Sequence, residues 1–156
     1  MTTAQAPYDD KAVDDAIADC GDQPGALLPV LHAVQDRLGH IPPEAVKRIA
    51  SALNLSRAEV HGVVSFYHHF REHPCGRHVV EICRAEACQA RGARHLDEYA
   101  RSRLGCGFHE TSADGVSLEP VYCLGLCATG PAIAIDGTPY SRVTAARFDA
   151  LLERSR

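Results

Sequence analysis

The sequence predicts an α+β protein in which a helical bundle, residues 1–74, precedes a sheet-containing domain, residues 75–156. From about Tyr8 to Phe70, apolar residues recur at the spacing of one helix face. Short β-branched runs bounded by turn residues replace that pattern after the stretch EHPCGR. The second half reads strand, helix, strands, helix, an order typical of a sheet covered on one face by helices.

Helix start and stop signals divide the first half. The first clear helix ends at Gly39, and its apolar face is Leu27, Leu31, Val34 and Leu38. Pro42 and Pro43 begin the next helix. Ser56 and Glu59 have the spacing of a capping box that opens a further one. Its expected buried stripe is Val60, Val63, Val64 and Tyr67.

Turn signals also divide the second half. HVVEIC predicts a strand that ends at Cys83. The helix that follows ends near Gly105, and its apolar face is Leu96, Tyr99, Ala100 and Leu104. FHETSADGVSLEPVYC predicts two strands around Asp114-Gly115, and AIAIDGTPYSRV two more around a turn at residues 136–137. A last helix is expected over residues 144–153.

Composition and charge narrow the function classes. The chain is 46% hydrophobic and 23% charged, with 20 acidic against 16 basic residues, which is typical of a soluble globular protein and not of a nucleic-acid binder. Its apolar runs are too short to span a bilayer, and the polar start MTTAQAPYDDKAVDD lacks a signal peptide's apolar region. We therefore expect a cytoplasmic protein with no membrane partner.

Four of the seven cysteines form two local pairs, each just past a predicted strand. Cys83 and Cys88 have four residues between them, and Cys123 and Cys127 have three. Neither pair is the Cys-x-x-Cys of dithiol redox sites, whereas zinc stays compatible with both. An iron-sulfur cluster takes four thiolates in loops of small residues, as in CLGLCATG, although spacing alone does not decide its nuclearity. The two loops are expected to converge at one sheet edge.

Other candidate sites have simpler interpretations. Cys20, Cys75 and Cys106 are interpreted as small hydrophobic residues, and His61, His68, His69, His73 and His78 as solvated or interface side chains. The two helices around ALNLS resemble a DNA-binding helix-turn-helix. The second helix, SRAEVHGVVSFY, has only one Arg and one Glu beside a wide apolar stripe, so we interpret this region as a packed bundle or a subunit interface. No catalytic triad order or nucleophile elbow is present.

CRAEACQ and CLGLCATGPAI together resemble the thioredoxin-like [2Fe-2S] ferredoxin family, which includes the small iron-sulfur subunit of respiratory complex I. The family pattern is a Cys pair with four intervening residues followed by one with three. The helical half, from LLPVLHAVQDRLGHIPPEAV to VSFYHHF, is similar to that family's amino-terminal bundle. Within the family, CRAEACQ and NLSRAEVHGVVSFY most resemble the gamma subunit of soluble, molybdenum-containing, NAD-dependent formate dehydrogenases.

This resemblance implies one [2Fe-2S] cluster, with Cys83 and Cys88 on one iron and Cys123 and Cys127 on the other. It also implies a thioredoxin-like fold without the dithiol, a bundle that docks other subunits, and no catalytic residue in this chain. The expected partners are a flavin- and NAD-binding iron-sulfur subunit and a molybdenum-containing formate-oxidising subunit. The alternatives are the equivalent subunit of an NAD-linked hydrogenase or of complex I, or a zinc-stabilised interaction module.

Overall fold

A computed structural model describes residues 9–155. Tyr8, where the helical pattern is predicted to begin, and the remainder of residues 1–8 lie outside the described part, as does residue 156. The chain divides into two compact units, one reaching to Pro74 and the other starting at Cys75. Between residues 9 and 155, no helix combines the length and apolar character needed to cross a membrane.

From residue 9 onward, the first unit contains four helices: α1 (Asp10–Cys20), α2 (Leu27–Leu38), α3 (Pro43–Ala52) and α4 (Arg57–Phe66). Gly39 ends α2 with a φ of 77°, and Ser56 and Glu59 form both hydrogen bonds of the predicted capping box. Each helix is amphipathic, so burial of the apolar faces against one another stabilises the bundle. Its core includes Val13, Ala16, Val30, Leu31, Val34, Ile49, Val60 and Val64.

The prediction of a buried Tyr67 is wrong. Helix α4 ends at Phe66, and Tyr67 has extended backbone, so its ring leaves the apolar stripe and is 44% exposed. Val60 and Val64 of the same stripe are buried as predicted. The segment after α4 is held by buried Gln35, whose side chain donates to the His69 carbonyl at 2.8 Å and accepts from the Arg71 N–H at 2.8 Å.

The second unit is a five-stranded sheet with helices. Its elements are β1 (His78–Cys83), α5 (Glu86–Ala90), α6 (Ala93–Leu104), β2 (Glu110–Thr111), β3 (Val116–Val121), β4 (Ile133–Ile135), β5 (Thr138–Tyr140) and α7 (Ala145–Ser155), with a single 3-10 turn at Cys127–Thr129. The strand order is β2-β3-β1-β4-β5. Strands β1 and β3 are parallel, and the other neighbouring strands are antiparallel. This mixed sheet with helices confirms the α+β prediction.

Alternate residues of the central strands build the core of the second unit. Val80 and Ile82 of β1 face the same side as Leu118 of β3, and all three are fully buried. They form one hydrophobic cluster with residues of α6 and α7, including Leu96, Ala100, Leu104, Phe148 and Leu152. The predicted turn at Asp136-Gly137 has positive φ at both residues, as a type I′ hairpin requires.

Candidate metal centre at the edge of the sheet

The parallel pairing of β1 and β3 brings both cysteine pairs to the same edge of the sheet. Cys83 is the last residue of β1 and lies in register with Val121, the last residue of β3. Cys123 follows two residues later. The strand ends are tied together, since the Arg84 N–H donates to the Val121 carbonyl at 2.8 Å and the Cys83 N–H to the Ala132 carbonyl at 3.0 Å. The predicted convergence of the two loops is therefore observed.

The four sulfurs interact with one another in this structure. Cys123 Sγ lies 3.6 Å from Cys127 Sγ, and burial, followed by the thiol of Cys83, raises the pKa of Cys88. The Cys127 thiol also interacts electrostatically with both Cys83 and Cys88. Tertiary structure thus gathers into one group the four cysteines that their spacing in the sequence singles out.

The two pairs differ in their surroundings. Cys83 and Cys88 are buried, with Ala93 and Ala132 in the same small apolar cluster, whereas Cys123 and Cys127 are exposed. Cys88 lies on the short helix α5, which was not predicted from the sequence. Five residues are too few for a helical period to be visible in a sequence, so α5 gave no signal.

Backbone conformation shapes the loop of the exposed pair. Cys123 has a φ of 150° and Gly125 a φ of 73°, both in a region that side-chain-bearing residues rarely adopt. The turn points the Gly125 N–H at Cys123 Sγ, to which it donates at 3.3 Å. Residues held in such conformations cluster at ligand sites, where the surrounding structure enforces them.

These contacts shift the thiol pKa values in opposite directions. The Gly125 N–H, and after it the Cys127 thiol, lowers the pKa of Cys123. The hydrogen bond and charge of Cys123 raise the pKa of Cys127. Burial, followed by the hydrogen bond with Cys83, raises the pKa of Cys88. Among the three thiols of this site with a shifted pKa, only that of Cys123 is shifted towards the thiolate, the form that binds metals.

The remaining cysteines and the histidines lie elsewhere. Cys20 packs against the bundle core and Cys106 against the core of the second unit, where burial raises its pKa, while Cys75 is half-buried. His61 Nδ1 lies 3.6 Å from a Glu72 carboxylate oxygen. Among residues 9–155, no group of three or more Cys, His, Asp or Glu side chains is arranged around one ion.

The arrangement of the side chains is compatible with a binuclear cluster. A [2Fe-2S] cluster asks for only two thiolates on each iron, and the chain offers two pairs. The buried pair excludes water, and the Gly125 N–H supplies a hydrogen bond to sulfur that offsets negative charge.

A charged array beneath the first cysteine loop was not predicted. Asp97 of α6 is buried, and its carboxylate lies 3.5 Å from Arg84 Nε and 2.8 Å from Arg101 Nε. The two guanidinium carbons lie 5.0 and 4.7 Å from the centre of the Phe108 ring. Arg84 directly follows Cys83, so the array is joined through the chain to the buried pair. Its one sequence signal is the helical spacing of Asp97 and Arg101.

Comparisons with known proteins show the family of the chain. The model of the thioredoxin-like [2Fe-2S] ferredoxin family matches residues 13–156. NADH-quinone oxidoreductase subunit 2 of Thermus thermophilus is 39% identical over 129 residues, which cover 81% of this chain and 71% of that protein. A corresponding NADH-quinone oxidoreductase subunit of Rhizobium meliloti is 32% identical over 145 residues, which cover 92% of this chain and 86% of that protein.

A solved structure shares most of the fold. The NAD+-reducing [NiFe]-hydrogenase in its air-oxidized state matches with a TM-score of 0.64 and 28% identity over 82% of this chain. The match spans 22% of that hydrogenase chain, so this chain corresponds to about a fifth of it. The matched family model covers nearly all of the sequence, including both cysteine pairs. The chain therefore belongs to the thioredoxin-like [2Fe-2S] ferredoxin family, whose members carry one [2Fe-2S] cluster.

Proposed function

We propose that this chain is the electron-transfer subunit of a cytoplasmic NAD-dependent formate dehydrogenase complex, and that Cys83, Cys88, Cys123 and Cys127 hold its cluster. The observation that carries the proposal is the meeting of both cysteine pairs at one sheet edge in a chain of this family. When bound, a [2Fe-2S] cluster accepts and donates one electron at a time. Cys83 and Cys88 are assigned to one iron and Cys123 and Cys127 to the other.

The unequal exposure of the two pairs suggests where electrons enter or leave. The segment around the exposed pair, residues 122–131, contains no charged residue, and Tyr122 is 51% exposed. An uncharged, partly apolar rim suits close docking of another protein, because little charge has to be desolvated there. We infer that a flavin- and NAD-binding iron-sulfur subunit docks at this rim, while the buried pair stays shielded from water.

The parent complex is proposed from the resemblance of CRAEACQ and NLSRAEVHGVVSFY to the formate dehydrogenase gamma subunit. The second partner is then a molybdenum-containing formate-oxidising subunit. The matched relatives are named as NADH-quinone oxidoreductase subunits and an NAD+-reducing hydrogenase, so the equivalent subunit of either complex is the alternative. In none of these does this chain itself carry out the substrate chemistry.

Anaerobic purification of the full chain tests the cofactor. The expected product is a reddish-brown protein with about two irons and two sulfides per chain. Colourless protein with stoichiometric zinc would instead support a zinc-stabilised interaction module and overturn the assignment.

Purification of the tagged chain from its native host tests the parent complex. Co-purified molybdenum and formate-dependent reduction of NAD are the expected results. Hydrogen-dependent NAD reduction with nickel, or NADH oxidation by a membrane fraction with no molybdenum, would replace formate dehydrogenase by one of the alternatives.

A further inference from the structure

The loop after Cys127 is fixed by three consecutive carbonyl groups. The Thr129 and Pro131 carbonyls accept from the backbone N–H groups of residues 142–143, at 2.8 and 3.0 Å. The carbonyl between them, that of Gly130, accepts instead from a side chain, Arg91 Nε, at 3.1 Å. Gly130 is buried, so loss of this donor leaves a buried carbonyl without its hydrogen bond.

Arg91 belongs to the other cysteine loop. Its backbone N–H donates to the Cys88 carbonyl at 3.1 Å, at the end of α5. A Cβ atom placed on Gly130 would lie 3.1 Å from Cys88 Sγ and 3.4 Å from Arg91 Cδ. The buried sulfur and the arginine side chain therefore lie against the same glycine, and Arg91 joins the two loops at the point where their sulfurs meet.

The charge of Arg91 matters because the loop to which it binds supplies no charged side chain of its own. Residues 122–131 contain no charged side chain, and four thiolates with two ferric ions and two sulfides sum to about −2. Reduction by one electron adds one negative charge. A guanidinium beside the sulfurs stabilises the reduced form more than the oxidised form, and at an exposed site the effect on their ratio is about threefold to tenfold.

We propose that Arg91 is a positioning residue for the cluster, which locks the two cysteine loops together and favours the reduced state. This inference rests on the proposed cluster and its four ligands. The two effects have separate physical causes. Locking depends on the hydrogen bond from Nε to the Gly130 carbonyl, and the shift in reduction equilibrium depends on the positive charge.

The test uses the full chain, loaded with its cluster and purified anaerobically, with the variants Arg91→Met, Arg91→Lys and Arg94→Met. Met keeps an unbranched stem to about the position of Nε but removes the charge and the donor, whereas Lys keeps the charge but not the planar Nε–H. Arg94 is an exposed arginine of α6, three residues further along the chain, so it controls for general loss of charge. The readouts are a potentiometric titration followed by EPR, and the rate of cluster loss to a chelator.

Arg91→Met is expected to lower the reduced-to-oxidised ratio at fixed potential by about threefold to tenfold and to accelerate cluster loss by a similar factor. Arg91→Lys is expected to keep the ratio within about twofold of wild type but to lose the cluster faster, since the lock is broken. If Arg91→Met matches Arg94→Met in both readouts, the inference is overturned while the cluster assignment stands. If the wild-type chain holds no [2Fe-2S] cluster, the proposed function fails instead.

Discussion

Cys83 and Cys88 are 1% and 2% exposed, whereas Cys123 and Cys127 lie open to solvent at the same sheet edge. The first pair is held by a strand end and a short helix, with the Asp97 array beneath it. The second pair is held by a glycine turn with unusual backbone angles. One half of the proposed cluster site is therefore shielded from water, whereas the other half lies exposed, where we propose that a partner docks.

Removal of one of the proposed cysteine ligands should have the largest effect on cluster content, and the loss should be equally severe for both pairs. Cys88→Ser and Cys123→Ser are each expected to abolish the visible spectrum or make it decay within the preparation, because a [2Fe-2S] cluster needs all four thiolates. Iron and sulfide analysis measures this. Cys106→Ser is the matched control and should keep the full spectrum. Loss of colour in that variant would contradict the ligand assignment.

Asp97→Asn should weaken the support of the buried pair. The substitution keeps the shape of the side chain but leaves Arg84 and Arg101 as two cations over one ring, and we expect a loss of about 1–2 kcal/mol in unfolding free energy. Anaerobic urea unfolding, followed by the cluster's visible absorbance, reports on this unit. Glu98→Gln, an exposed neighbour on α6, should change stability by less than about 0.5 kcal/mol. Equal effects of the two variants would rule out a supporting role for Asp97.

Gly125→Ala should strain the exposed pair's loop. No atom lies within 4 Å of a Cβ placed there, so the expected cost of about 1 kcal/mol comes from the φ of 73° alone. The same unfolding experiment measures it, and the cluster should still bind. Gly62→Ala in α4 is the control: a Cβ there also meets open space, but the backbone is helical, so the substitution should stabilise the bundle by about 0.5–1 kcal/mol. Far-UV circular dichroism follows its unfolding, since the cluster absorbance reports on the second unit. An unchanged free energy of unfolding in Gly125→Ala would show that the turn tolerates a side chain.

The smallest expected effect is a difference in the pH at which the individual thiols react in the cluster-free protein. The pKa of Cys123 is lowered, so its thiolate persists to lower pH, whereas the raised pKa values of Cys88 and Cys127 shift their reactive range upward. In pulsed alkylation with iodoacetamide at stepped pH, Cys123 should be modified first and buried Cys88 last. Peptide mass spectrometry assigns the sites. Modification of Cys88 before Cys123 would contradict the expected difference between the buried and the exposed pair.

Local sequence signals predicted most of the elements correctly. Gly39, the Ser56 and Glu59 capping box, and the Asp136-Gly137 turn each act through a few neighbouring residues, so their structural effect is visible in sequence. Tyr67 was misassigned because a helix pattern does not reveal that the chain leaves the helix one residue earlier. Helix α5 was missed because a single turn has no measurable period.

By itself, the sequence determined that two spaced cysteine pairs follow strands, and the resemblance carried by those spacings gave the expectation of a [2Fe-2S] cluster. Tertiary structure alone decided which pair is buried and to which carbonyl Arg91 donates its hydrogen bond. It also decided that Asp97 lies between two arginines. The reason is physical. Strand and turn formation depends on neighbours along the chain, whereas burial and the contacts between loops depend on residues that are brought together only when β1 and β3 pair.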